Sequence, residues 1–138
     1  MIRVYIDMAA DLFHVGHLNL ICRAKRLGDY LIVGVHSDKD IGSYKRTPII
    51  NEKDRYEIIK SCKYVDEVIE NAPLNISMEF IEKNKIDIVA HGDNLSPAVK
   101  QQHAIPMKLN IMKYLPSTKG ISTTEIISRI KNVEPENE

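Results

Sequence analysis

Five apolar runs punctuate the chain, and stretches with helical spacing separate them. The runs fall at residues 4–7, 30–36, 65–69, 86–90 and 111–115. Residues 30–36 (Tyr-Leu-Ile-Val-Gly-Val-His) are apolar almost throughout, which predicts a strand covered on both faces. A helix is expected from about Val15 to Gly28, with the glycine just past its end. Asn51 caps the next, with Asp54 three residues on and Ile58, Ile59 and Cys62 on its apolar face. Ser77 caps a helix over 78–84 that turns Phe80 and Ile81 inward. Pro97 opens a helix to about Leu109, which Pro106 bends or shortens. Ser122-Thr123-Thr124-Glu125 is a capping box for a last helix to about Ile130. Residues 37–48 are expected to be a polar loop, and residues 134–138 an acidic frayed tail behind a domain of residues 1–133. Strand and helix alternate, so the fold class is α/β: a Rossmann-like, doubly wound parallel sheet in one domain. Such sheets bind ligands beyond the carboxyl ends of their strands. Four polar groups fall there: residues 14–17, Lys45 with Arg46, residues 91–93, and residues 117–123.

Composition narrows the picture. The chain has 138 residues, with 19 acidic and 19 basic. That balance offers nothing to nucleic acid or to an anionic membrane surface. No apolar span is long enough for a bilayer, and the N-terminus has the pattern of a strand and not of a signal peptide. Cys22 and Cys62 lie in helical patterns, as reduced buried residues and not as a disulfide. These features describe a soluble cytoplasmic domain.

The candidate chemistry centres on His14-Val15-Gly16-His17, at the start of a helix just after the first strand. Two imidazoles three residues apart face the same way. They stand where free N–H groups and the helix dipole favour an anion. Gly16 would let a ligand approach the backbone. The motif predicts a phosphate site, although an ordinary cap or surface histidine fits the same four residues equally well. Lys45 and Arg46 could reach such a site from a loop; alone they are a solvated loop. Gly120, Ile121, Ser122, Thr123 and Thr124 form a second helix start able to bind phosphate, or simply a cap. Nucleotidyl transfer fits this set: it needs positive charge around phosphorus, and a phosphate nucleophile needs no general base. Mg²⁺ would come mainly with the triphosphate. No protein metal site is expected. His14, His17, His36, His91 and Asp93 could be proposed, but the histidine pair lacks the i, i+4 spacing and the intervening Glu of a zinc helix. His36 and His103 are taken as ordinary polar positions.

These blocks, with residues 28–36, Lys45, residues 51–56, 64–69 and 120–124, resemble the cytidylyltransferases that make CDP-alcohols, in order over nearly the whole chain. The resemblance implies that His14, His17 and Lys45 are catalytic and contact phosphates. It places Ala9, Ala10, Asp11, Gly16, His91, Asp93, Thr118, Gly120, Ile121, Ser122 and Thr123 at the nucleotide. Lys45, Arg46, Arg55, Lys63, Leu74 and Lys119 fall to the acceptor side. It implies CTP with Mg²⁺, a small phosphate- or phosphonate-bearing acceptor and a homodimer near residues 64–69. An adenylyltransferase, or a catalytically weak nucleotide-binding protein, is the alternative. There are departures. Met8 stands where the family has glycine. Ser117-Thr118-Lys119-Gly120 replaces Arg-Thr-Glu-Gly, so Lys119 is expected to restore the lost charge. Leu74 and Ser96 occupy the positions of the aromatic residues that surround a choline, which favours phosphoethanolamine or hydroxyethylphosphonate.

Overall fold

The computed structural model describes residues 1–134. The apolar runs become β1 (Arg3–Met8), β2 (Tyr30–Val35), β3 (Glu67–Glu70), β4 (Ile88–Gly92) and β5 (Met112–Leu115). All pair in parallel, in the order β3-β2-β1-β4-β5. The chain winds outward from β1 to β3, then returns to the other side of β1 through β4. The direction of winding therefore reverses between β1 and β4, and a crevice opens there at the carboxyl ends.

Strand parity sorts the core. Val4, Ile6 and Met8 of β1, with Leu31, Val33 and Val35 of β2, face α1 (Val15–Lys25) and α3 (Glu52–Lys60). Tyr5, Ile32 and Val89 point to the other face, against Ile81 of α4 (Met78–Asn84) and the Ile76 and Ile86 that flank it. Asp7 shares the parity of Tyr5, so β1 delivers a carboxylate to that second face at its carboxyl end. Gly34 lies over Tyr5: a Cβ there would collide with the Tyr5 hydroxyl and the Ala72 methyl. Gly34→Ala is expected to lower stability by about 1–3 kcal/mol through overpacking. Urea unfolding measures this, and a native midpoint would refute it.

Several elements depart from the sequence pattern. Helix α1 ends at Lys25, with Arg26 as its C-cap. Residues 37–48 are not all loop, because Ser37 caps a short helix, α2 (Asp38–Gly42). The single helix expected over 97–109 is two, α5 (Pro97–Gln102) and α6 (Ala104–Lys108), broken at His103. On α3, Tyr56 and Ile59 are buried with Arg55, whereas Ile58 is exposed. The last described helix, α7 (Thr123–Lys131), has its Ser122 cap, but Glu125 pairs with Arg129 and the reciprocal arm of the capping box is not made. Cys22 and Cys62 are free and half-buried. Among the described residues no helix is long and apolar enough to cross a membrane. Of the expected tail only Glu134 is described; residues 135–138 lie outside the described residues.

Candidate active site

The start of α1 is held by a capping box made of histidines. The Gly16 N–H donates to His14 Nδ1 at 3.0 Å, and the His14 N–H donates to His17 Nδ1 at 3.1 Å. A backbone N–H can only donate, so both Nδ1 atoms are acceptors and each neutral ring carries its proton on Nε2. The two rings lie 3.9 Å apart between centroids with a 33° tilt, and Phe13 stacks on His17 at 5.6 Å. Burial, then the neighbouring His14, pushes the pKa of His17 down to about 4. Burial also lowers that of His14. The pair is therefore neutral at physiological pH and acts as two fixed N–H donors. Gly16 serves this fold-back more than ligand approach: a Cβ on it would lie 2.7 Å from His14 Cε1.

The preceding loop is tied down by Asp11. Its carboxylate accepts the N–H groups of Ile49 and Ile50, each at 2.9 Å, which pins the segment following Lys45 and Arg46. Its carbonyl accepts the Thr123 hydroxyl at 3.0 Å, which docks the start of α7. Thr123 Oγ1 also lies 3.5 Å from His14 Nε2. Asp11 sits between two non-glycine residues with positive φ, Ala10 at 57° and Leu12 at 50°. Such strain persists only where surroundings over-determine it.

A cleft of about 590 Å³ opens over the switch point. All four polar groups expected at strand ends reach it. Its lining includes Ala9, Asp11, His14, Gly16, His17, Lys45, Arg46, His91, Thr118, Ile121, Ser122 and Thr123, as well as Ser96. Ala10, Asp93, Gly120, Arg55, Lys63, Leu74 and Lys119 are not in that lining. Asp93 instead accepts the N–H and hydroxyl of Ser117, at 3.1 and 2.7 Å, and these bonds lower its pKa. Gly120 turns the chain into α7 with φ of 80°. Lys63 lies between α3 and β3, at the amino ends of the strands, with its ammonium 5.1 Å from the centroid of the Tyr64 ring.

Arg55 is a correction of another kind. It is fully buried behind the cleft wall. Its guanidinium donates to the carbonyls of Ile50 (2.9 Å), Ala9 (2.6 Å) and His36 (2.8 Å), and to Asp38 (2.7 Å). It joins three loops and offers no proton to the cleft. His36 and His103, expected as ordinary polar positions, are also buried. His36 donates Nδ1–H to the Ala72 carbonyl at 3.0 Å and faces Asp7 at 3.5 Å through Nε2. Burial opposes its charge, but the hydrogen bond and field of Asp7 prevail and raise its pKa.

Sequence reasoning missed Arg23. It lines the cleft from α1 and donates to the Pro116 carbonyl at 2.6 Å. Asn19, one turn earlier, donates to the Thr118 hydroxyl at 2.9 Å. The guanidinium that the 117–120 segment lacks is thus delivered from α1 to the same wall.

A cytidylyltransferase-like family model matches residues 9–129, which span all of these features but Asp7. The chain belongs to the cytidylyltransferase-like family. It is 38% identical over 131 residues to an ethanolamine-phosphate cytidylyltransferase of Dictyostelium discoideum, and 40% identical over 133 residues to human choline-phosphate cytidylyltransferase A. Each match covers 94% of this chain but only 36% of the relative, so this cytidylyltransferase-like chain spans about a third of their length. Among solved structures, a lipopolysaccharide core biosynthesis protein from Thermoplasma volcanium superimposes with a TM-score of 0.70 at 29% identity. That match covers 88% of this chain and 99% of the other.

Proposed function

We propose that this chain transfers CMP from CTP·Mg²⁺ to the phosphate of a small amino alcohol, of the phosphoethanolamine class, and releases pyrophosphate. The observation that carries the reading is the neutral histidine pair, whose tautomers are fixed by backbone N–H groups so that each ring presents an Nε2–H, that of His14 beside the Thr123 hydroxyl oxygen at 3.5 Å. An ionised acceptor oxygen attacks the α-phosphorus, a new P–O bond forms, and the bond to the β-phosphate oxygen breaks. His14 and His17 donate to the charge that builds on the transferred group, and Lys45, Arg46 and Arg23 meet the triphosphate charge. The lining carboxylates are both engaged, Asp7 with His36 and Asp11 with two backbone N–H groups. Two carboxylates do not supply the oxygen-rich shell that Mg²⁺ prefers, and the ion enters with the nucleotide as part of the substrate.

The acceptor choice rests on the lining and on the similarity to ethanolamine-phosphate enzymes. Tyr44 is the only phenyl or indole ring among the described lining residues, so a trimethylammonium finds no aromatic cage. A phosphonate oxygen is an equivalent nucleophile, and a homodimer paired near residues 64–69 belongs to the same reading.

The test is pyrophosphate release with CTP and Mg²⁺ against phosphoethanolamine, phosphocholine, glycerol-3-phosphate and 2-hydroxyethylphosphonate, repeated with ATP, GTP and UTP. Release is expected with CTP and phosphoethanolamine. Preference for ATP would make the chain an adenylyltransferase. CTP binding with no release from any acceptor would make it a binding protein. Arg23→Ala is expected to raise the KM for CTP roughly tenfold or more, the cost of a hydrogen bond to a charged group. A larger effect at Lys119→Ala would return that role to the exposed lysine.

A further inference from the structure

One ligand atom from each of Asp7, His91 and His103 lies within 4.8 Å of the others. The three come from β1, β4 and the break between α5 and α6. Parity explains the meeting. Tyr5 pairs with Val89, so two residues on, Asp7 and His91 leave neighbouring strands on the same face. His103 is buried against them, its ring centroid 4.8 Å from that of His91.

The hydrogen bonds decide which ring nitrogens hold lone pairs. His91 Nδ1 lies 2.9 Å from the Gly92 carbonyl, which can only accept, so the proton is on Nδ1 and Nε2 is free. The Tyr114 hydroxyl lies 3.4 Å from His103 Nδ1 and 3.6 Å from Met107 Sδ. The His103 tautomer that donates Nδ1–H to this hydroxyl presents Nε2 as a lone pair, and it is the one a metal would select. Asp7 is steadied by His36, which is itself anchored on the Ala72 carbonyl. Each of the three groups thus has an outer partner that orients it, as metal ligands do. The histidines at the start of α1 show the opposite arrangement: both Nδ1 atoms take backbone N–H groups and both Nε2 atoms carry protons.

We propose that Asp7, His91 and His103 bind a divalent cation of the zinc class at the floor of the cleft. Two imidazole nitrogens and one carboxylate oxygen suit such an ion better than Mg²⁺, which prefers oxygen ligands throughout. Three protein ligands leave a fourth position open, on the side where Asp7 and His91 line the cleft. Zinc bonds of about 2.0–2.1 Å require the three groups to draw together. His103 caps both α5 and α6, its N–H bonded to the Lys100 carbonyl and its carbonyl to the Met107 N–H, so its approach is made by rotation of the side chain.

The experiment is titration of the nucleotide-free chain with Zn²⁺ by calorimetry and with Co²⁺ by visible absorption. One equivalent is expected to bind, with the intense Co²⁺ bands of a tetrahedral nitrogen–oxygen site. His103→Gln and His91→Gln should each weaken Zn²⁺ at least ~10-fold, and His14→Asn should leave it unchanged. Circular dichroism checks the fold, and the half-exposed His91 provides a variant that does not open the core. Absence of binding, native affinity in both glutamine variants, or loss of binding in His14→Asn would each overturn the proposal.

Discussion

His17→Ala is expected to lower the turnover of the proposed cytidylyl transfer by about 10²–10³-fold, the usual cost of removing one fixed donor from a developing charge. The same substitution strips the acceptor from the His14 N–H and costs about 1 kcal/mol of helix capping. His17→Gln separates the two effects. A glutamine three residues past the cap can accept the His14 N–H, as in an ordinary capping box, but cannot place a ring Nε2–H. Thermal unfolding should recover in this variant while turnover stays low; joint recovery would make His17 a cap and nothing more. The depressed pKa adds a signature in pH. The unfolded chain protonates His17 near 6.5, the folded chain only near 4, with His14, Asp11 and Lys45 facing it. The unfolded state binds the extra proton, so this contribution to stability is full above pH 6.5. It falls as pH drops toward 4 and changes no further below that. His17→Gln should remove that slope.

Arg55→Lys is expected to destabilise the chain by about 3–5 kcal/mol, the range for breaking a buried charged pair. That is a large part of the roughly 5–15 kcal/mol holding a domain together. The guanidinium reaches three carbonyls and a carboxylate in one plane. A lysine has one compact charge on a flexible stem and cannot match that fork. The carbonyls of Ala9, His36 and Ile50 would lose their partner, and the loop before His14 would lose its anchor. Urea unfolding measures the loss; a lysine variant within about 1 kcal/mol of native would show that the charge alone suffices.

The sheet was legible because parallel strands covered on both faces are nearly continuous apolar runs, and because the helix starts at Asn51, Ser77 and Ser122 carry side-chain caps. The histidine pair was legible as a helix start after β1, and the structure places both rings in the cleft. What escaped depends on which strands are neighbours. Asp7 and His91 share a parity that sequence shows, but only the β1–β4 pairing puts them side by side. Arg23 lies six residues past His17, and nothing local says that Pro116 approaches it. Arg55 sits among Glu52, Lys53 and Asp54, where a buried guanidinium has the same appearance as a solvated charge. The place of Lys63 is legible in the strand pattern, since a residue just before a strand lies at the sheet end opposite the cleft.

Helix α7 supplies a wall of the cleft, yet none of its described residues is fully buried. Its first turn is docked by the Thr123 hydroxyl and capped by Ser122, both at the end that lines the cleft. The hydrogen bond that docks this helix therefore lies in its cleft-facing turn. By linkage, a nucleotide that prefers the docked helix strengthens it by as much as the docked helix tightens the nucleotide. Amide exchange along α7 thus becomes a gauge of cleft occupancy, slowing as the cleft fills and quickening as it empties.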